Sequence, residues 1–154
     1  MNTSEQRKLA EDFRKLHRAP PILLLPNSWD PMSARIFEAA GFPAAATTSG
    51  GLAWALGYQD GEKAPWPEVV AATHRIAEAI RVPLTADIET GYGATPDALA
   101  RSVTDIIGAG AVGVNLEDGT PNPQEPVRTI DDAAARIRAA RAAASAAGVP
   151  IVIN

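Results

Sequence analysis

Asp87 and Glu89 stand two positions apart at the end of the apolar run Leu84–Ile88, and Glu117 follows a second such run, Val112–Leu116. Side chains of a strand alternate between faces. Thr85, Asp87 and Glu89 therefore share one face, and Gly113, Asn115 and Glu117 share the corresponding face of the next run. Leu84, Ala86 and Ile88 are left to pack against helices, as are Val112, Val114 and Leu116. Three carboxylates converging on one point cannot all stay charged without a counter-charge. A divalent cation is the simplest solution. Oxygen-only ligands suit Mg²⁺ or Mn²⁺, and Mg²⁺ commonly keeps several waters, so some of the acids would act through water. A lone Asp-x-Glu after a strand is an ordinary solvated loop or helix cap. Its coincidence with a second acid on the neighbouring strand is what points to a site.

Two glycine-containing segments lie beside these acids. Gly91-Tyr92-Gly93 allows a sharp backbone turn next to a ligand. Thr47-Thr48-Ser49-Gly50-Gly51 follows another apolar run and offers backbone N–H groups and hydroxyls to a carboxylate or phosphate. His17 and His74 fall in helical segments, away from any metal-ligand spacing, and read as surface or packing residues. Trp29, Trp54 and Trp66 read as packing residues, with Trp54 near enough to the second loop to line a pocket.

The elements that must position these groups follow one repeating unit. An amphipathic segment ends near Gly and a short apolar strand begins: Gly41 before Ala44–Thr48, Gly110 before Val112–Leu116, and Gly148 before Ile151–Asn154. A Gly just past a helix supplies the left-handed conformation that ends it, and a nearby Pro blocks continuation. Strands are expected at Ile22–Leu25, Ala44–Thr48, Leu84–Ile88, Val112–Leu116 and Ile151–Asn154. Helices are expected at Pro31–Ala40, Pro67–Ile80, Pro96–Ile107 and Ile130–Ala147, with an extra N-terminal helix over Ser4–His17. Asp30-Pro31 and Thr95-Pro96 each read as an N-cap followed by the first helical residue. Apolar strands alternating with helices are the sequence form of a parallel sheet, in which active sites gather at the C-terminal strand ends.

The chain has 154 residues, 46% hydrophobic, a formal net charge of −4 and no cysteine. That is enough for one globular core. No basic stripe invites nucleic acid. Disulfides, cysteine-bound metal and a thiol nucleophile are excluded, and the composition fits a reducing cytoplasm. No run approaches a membrane span, and no leader-like apolar run follows the polar first residues. No linker divides residues 1–154, so one domain is expected.

At the acidic segments the sequence resembles the isocitrate lyase/phosphoenolpyruvate mutase superfamily. The matching pieces are Leu25-Pro26-Asn27-Ser28-Trp29-Asp30, Thr47-Thr48-Ser49-Gly50-Gly51-Leu52, Leu56-Gly57-Tyr58-Gln59-Asp60-Gly61, Ala86-Asp87-Ile88-Glu89-Thr90-Gly91-Tyr92-Gly93 and Asn115-Leu116-Glu117-Asp118-Gly119, in the family's order. The resemblance implies a parallel (β/α)8 TIM-type barrel of which the first five βα units are present, since a closed barrel takes roughly 250 residues. An open doubly wound sheet is the alternative. It further implies Mg²⁺-dependent (or Mn²⁺-dependent) cleavage or formation of a C–C or P–C bond in a small 2-oxo acid, by dimers or tetramers of the whole enzyme. Asp87 matches the direct metal ligand. Glu89, Glu117 and Asp60 match acids that hold the ion largely through its water shell. Thr48, Ser49 and Gly50 match the substrate-carboxylate cradle, with Trp29 near the pocket wall and Gly91 and Tyr92 beside the substrate. Tyr92 and Glu117 are the catalytic candidates, Tyr92 or a metal-held water being the expected proton donor.

Departures narrow the reaction. Isocitrate and methylisocitrate lyases carry Lys-Arg-Cys-Gly-His after the fourth strand, where this chain reads Thr120-Pro121-Asn122-Pro123-Gln124-Glu125-Pro126. Mutases carry lysines where Gly119 and Thr120 stand. An oxaloacetate-decarboxylase-like or uncharacterised member is therefore expected. The family's substrate-binding Arg follows an Asn such as Asn154. Two rival readings remain: a truncated, non-catalytic interaction module, and an unrelated phosphate-binding α/β protein that binds its ligand without metal.

Overall fold

The computed structural model describes residues 2–18 and 20–154. The N-terminal helix α1 (Thr3–Leu16) starts with a capping box in which Asn2 and Glu5 satisfy each other's backbone N–H groups. Then come β1 (Asn27–Ser28), α2 (Pro31–Ala39), β2 (Ala45–Thr47), α3 (Ser49–Leu56), α4 (Trp66–Ala79) and β3 (Leu84–Asp87). The remaining elements are α5 (Pro96–Gly108), β4 (Gly113–Asn115), α6 (Ile130–Ala147) and β5 (Val152–Ile153). All neighbouring strands pair in parallel, in the order β1-β2-β3-β4-β5. Sequential parallel order is what a (β/α)8 barrel requires of its first five units. A doubly wound sheet reverses direction at a switch point and would break it.

The expected cap signals hold. Asp30 and Thr95 cap α2 and α5, each accepting from the backbone N–H three residues on, with Pro at the first helical turn. Gly148 ends α6 with φ 70°.

Two elements differ from expectation. The first strand pairs at Asn27–Ser28 rather than Ile22–Leu25. Pro20, Pro21 and Pro26 offer no N–H to a ladder, and sheet bonding begins where the Ala46 N–H reaches the Pro26 carbonyl at 2.9 Å. Ile22 and Leu24 are left exposed. The second difference is α3. The segment expected as a loop is a helix, capped by Thr48 and closed by Gly57 at φ 88°.

The core confirms the strand parity. Ala86, Ile88, Val112 and Val114 are buried with Leu99, Val103 and Ile106 of α5 and Ala140 and Ala144 of α6, and Leu84 is buried with Val69 and Ile76 of α4. The opposite face of the sheet is covered in part by α1. A Cβ placed on Gly113 would meet Phe13 Cε1 at 2.8 Å and Thr85 Oγ1 at 2.7 Å, and Phe13 is itself buried. Gln6 ties α1 down by donating to the carbonyls of Ile107 (2.6 Å) and Ala111 (3.0 Å). The inner face is thus partly shielded by the N-terminal helix. Among the described residues no helix is long and apolar enough to cross a membrane.

Candidate active site

The C-terminal strand ends deliver acids from three elements. Asp87 closes β3. Its backbone N–H donates to Thr47 Oγ1 at 2.9 Å, which ties β3 to β2 at the level of the site. Its carboxylate accepts from the backbone N–H groups of Ser49 (3.2 Å) and Glu89 (3.1 Å). Ser49 is the first residue of α3, so Asp87 lies at the positive end of a helix, where a carboxylate is favoured.

Asp60 arrives from the loop after α3. Its Oδ2 is 3.1 Å from where a Cβ on Gly50 would sit. Gly50 therefore lets the Asp60 carboxylate lie against the first turn of α3. Gly51 plays a similar part for Trp29, whose Cβ is 3.2 Å from a Cβ placed there. Trp29, half exposed, does stand beside the Thr48–Gly50 segment.

Glu89 lies past the last paired residue of β3, at φ 50°, and its carboxylate is turned toward the loop after α3. Both oxygens accept from the Glu62 N–H, at 3.0 and 2.8 Å, and Oε1 also accepts from the Tyr92 phenol at 3.2 Å. Burial raises the Glu89 carboxyl above its ordinary value. Asp60 and Glu62 push the same way, against the two hydrogen bonds. Tyr92 is raised too, by burial and then by Glu89, so its phenol keeps its proton at neutral pH. The Tyr92 ring packs on Trp66, with centroids 4.7 Å apart.

Glu117 follows β4. Its N–H donates to the Glu89 carbonyl at 2.8 Å, which extends the strand pairing to the acids themselves. The residue is exposed. Its carboxyl is nonetheless raised by partial desolvation and by the negative charges of Asp87, Asp60, Glu62 and Asp118.

Asp60, Asp87, Glu89 and Glu117 are thus within electrostatic reach of one another. They are not a closed ligand set: among the described residues no three His, Cys, Asp or Glu side chains gather tightly enough to grip an ion directly. The expectation of three carboxylates on one point is corrected accordingly, because Glu89 is drawn off toward the Glu62 N–H. The donors still suit a hard cation. They are all oxygens, the charges of Asp87 and Asp60 add to desolvation in raising Glu117, and a hydrated Mg²⁺ needs few direct contacts.

Two residues of this site escaped the sequence reading. Glu62 accepts from Thr90 Oγ1 at 2.6 Å and from the Tyr92 N–H at 2.9 Å. Arg136, buried in α6, donates to the carbonyls of Gly93 (3.0 Å) and Thr90. Arg136 had a signal: with Ala140 and Ala144 it forms the buried stripe of α6 at helical spacing. Glu62 had none. A pocket of about 520 Å³ opens between the two acid-bearing loops, lined by Glu62, Glu89, Glu117, Gly93, Thr120 and Arg128 among others. His17 and His74 lie away from it. Each ring is bound to a nearby backbone carbonyl, of Phe13 and Ala109 respectively.

Comparison with known proteins gives a consistent picture. A family model described as phosphoenolpyruvate phosphomutase matches residues 13–154. A 2-methylisocitrate lyase of Bacillus subtilis (strain 168) is 33% identical over 115 residues, covering 75% of this chain and 38% of that protein. A solved structure from Burkholderia cenocepacia J2315, provisionally described as a phosphonomutase, superposes with a TM-score of 0.91 at 43% identity. It covers 97% of this chain and 58% of its own. Oxaloacetate acetylhydrolase, solved in complex with its product oxalate, gives a TM-score of 0.82 at 30% identity, covering 98% of this chain and 52% of its own. The chain spans about two fifths to three fifths of the length of these relatives.

Proposed function

The chain belongs to the phosphoenolpyruvate phosphomutase family, and from that premise we propose that it carries the metal-binding half of a Mg²⁺-dependent carbon–carbon lyase acting on a small 2-oxo acid. Its relatives include lyases and an oxaloacetate hydrolase. The observation that carries the reading is the set Asp87, Glu89 and Glu117 just at or past the C-terminal ends of the adjacent parallel strands β3 and β4, joined by Asp60 from the loop after α3, with Glu117 raised by desolvation and then by the charges of Asp87 and Asp60.

Asp87 is the direct ligand in this reading, and Asp60, Glu89 and Glu117 hold the ion's waters. When bound, Mg²⁺ (or Mn²⁺) supplies Lewis-acid stabilisation of the negative charge that grows on the keto oxygen as a C–C bond breaks. The rest falls to the chain's own side chains. Thr48, Ser49 and Gly50, at the start of α3, would meet the substrate carboxylate through the two hydroxyls and the Gly50 N–H, the Ser49 N–H being held by Asp87. Trp29 forms the wall beside them, and Gly91 allows the turn to approach. Tyr92 is a protonated phenol aimed at Glu89 and is suited to deliver a proton. Glu117, with its raised carboxyl, is suited to exchange one with a water.

The reaction class is closest to oxaloacetate decarboxylation or cleavage. The chain has no cysteine, and residues 120–126 lack the Lys-Arg-Cys-Gly-His segment. The whole enzyme would be a homo-dimer or tetramer of the cytoplasm. The test is a panel of 2-oxo acids and 2-hydroxy acids assayed with and without Mg²⁺. Oxaloacetate turnover that needs the metal is expected, with isocitrate and methylisocitrate inert. Loss of a positioned general acid costs ~10²–10⁴-fold, so ready glyoxylate release from isocitrate would overturn the choice.

A further inference from the structure

The Glu89–Gly93 turn cannot hold itself. Glu89, Gly91 and Tyr92 all have left-handed φ, at 50°, 99° and 51°. Two of them are side-chain-bearing residues that rarely adopt that region, and such conformations persist only where the surroundings over-determine them. Two side chains distant in sequence grip the turn. Glu62 takes the Thr90 hydroxyl (2.6 Å) and the Tyr92 N–H (2.9 Å) on one carboxylate oxygen, while its own N–H holds the Glu89 carboxylate. Arg136 takes the carbonyls of Thr90 and Gly93, which bracket Gly91 and Tyr92. A Cβ on Gly91 would clash first with Leu99 Cδ1 and would stand 3.1 Å from Arg136 Nη2, so glycine there lets both the core leucine and the guanidinium close on the turn.

Arg136 is held at a cost. It is 1% exposed. Burial and the neighbouring Arg128 weaken its hold on its proton, and Asp132 and Glu62 only partly offset this. Its Nε has no hydrogen-bond partner among the described residues. Buried ions replaced by apolar groups often leave a protein as stable or more so, so general stability does not account for this residue. What its two Nη groups do is fix the turn.

We propose that Arg136 is a positioning residue which, paired across the turn with Glu62, holds Glu89 and Tyr92 in the left-handed geometry the metal site needs. The inference rests on the reading of Asp87 and Glu89 as groups that serve a divalent cation. The experiment uses the whole 154-residue chain and its Arg136→Lys, Arg136→Ala, Glu62→Gln and Asp87→Ala variants. Mn²⁺ affinity is read by electron paramagnetic resonance. The metal-free Tyr92 amide and Trp66 indole signals are read by ¹H–¹⁵N NMR. A lysine carries its three N–H donors on one nitrogen and cannot reproduce the rigid fork whose two separate nitrogens reach Gly93 and Thr90. Arg136→Lys and Glu62→Gln should therefore weaken Mn²⁺ by about 10–100-fold, as losses of outer-shell support do, and shift both NMR signals with helical circular dichroism retained. Guanidinium ion added to Arg136→Ala should recover part of the affinity. Should the Arg136 variants fail to fold, Glu62→Gln decides in the same terms. Unchanged affinity and signals in the folded variants, with Asp87→Ala still abolishing binding, would overturn the inference alone. Wild-type affinity in Asp87→Ala would overturn the metal reading and the inference with it.

Discussion

The phenol of Tyr92 donates to Glu89 Oε1 at 3.2 Å, within a turn whose backbone is left-handed at both residues. This contact joins the proposed proton donor to an acid of the proposed metal site, and it is one of the influences on how that acid titrates. Burial raises Glu89, while the Glu62 N–H and the Tyr92 hydroxyl lower it.

Tyr92→Phe removes one of the two lowering contacts. The Glu89 carboxyl should therefore titrate at still higher pH in the variant, and Asp60→Asn should move it the other way. ¹³C NMR titration of the glutamate carboxyl signals reads both shifts. The sign for stability follows from proton counting. Between the ordinary glutamate value of 4.5 and the raised one, the folded chain binds the proton more readily than the unfolded chain does. The metal-free protein should therefore gain stability from this group as pH falls through that window, and Glu89→Gln should flatten that part of the profile. A steeper fall in stability over the same window in wild type than in Glu89→Gln would contradict the assignment.

The parity of β3 and β4 separates two adjacent acids. We read Glu117 as sharing the face of Asp87, whose charge bears on it, and Asp118 as turned away, where its carbonyl accepts from the Arg128 N–H at 2.8 Å. Asp87→Ala should weaken Mg²⁺ or Mn²⁺ by about a hundredfold or more, since loss of outer-shell partners alone costs 10–100-fold. Asp118→Ala should change affinity by less than about threefold, an outer residue with no partner role toward the ion. Titration calorimetry on both variants measures this, and comparable losses would break the parity argument.

Much of this arrangement is legible in the sequence because it is local. Alternation in Leu84–Asp87 places the acid, Asp30-Pro31 and Thr95-Pro96 announce helix starts, and Gly148 announces a stop. Each signal depends on residues within a few positions of one another. The contacts that were missed are long-range. Glu62 meets Thr90 and Tyr92 across a whole helix and strand, and no spacing rule encodes that. Helix α3 was hidden by Gly50 and Gly51, which lower helix propensity, although Thr48 as N-cap and Gly57 as C-cap bracket it. The β1 shift arises because Pro20, Pro21 and Pro26 cannot donate to a ladder. The convergence of acids was overdrawn because strand parity fixes a face but not where a side chain turns once the strand has ended.

The shield of the inner face gives a stability prediction remote from the chemistry. Gly113 faces Phe13 of α1 so closely that a Cβ would stand 2.8 Å from the ring and 2.7 Å from Thr85 Oγ1. Gly113→Ala should destabilise the chain by about 1–3 kcal/mol, the usual cost of overpacking. Phe13→Leu in the same chain should return part of the loss, because the two substitutions share one contact and couple. Thermal melts of the single and double variants test this, and strict additivity would mean that α1 does not pack there.

The edges of the sheet supply the last prediction. In the described structure β1 pairs only with β2 and β5 only with β4, so each presents an unpaired side. Such edges template association unless covered. The apolar surface near them is substantial: Ile22 and Leu24 are 85% and 64% exposed just before β1. Helix α1 covers part of the inner face and lies beside β5, while the free side of β1 pairs with no described strand. The 154-residue chain should therefore self-associate at micromolar concentration, and the associated species should be the one that melts cooperatively. Any Mg²⁺-dependent turnover should be low in the monomer, whose site is open on the side away from β2. Size-exclusion chromatography with light scattering, followed by an oxaloacetate assay on the same fractions, checks this. Substituting Lys for Ile22 and for Leu24 should shift the distribution toward monomer without altering Mn²⁺ affinity. A monodisperse, cooperatively melting monomer with full activity would show that the edges are not the weak point inferred from their exposure.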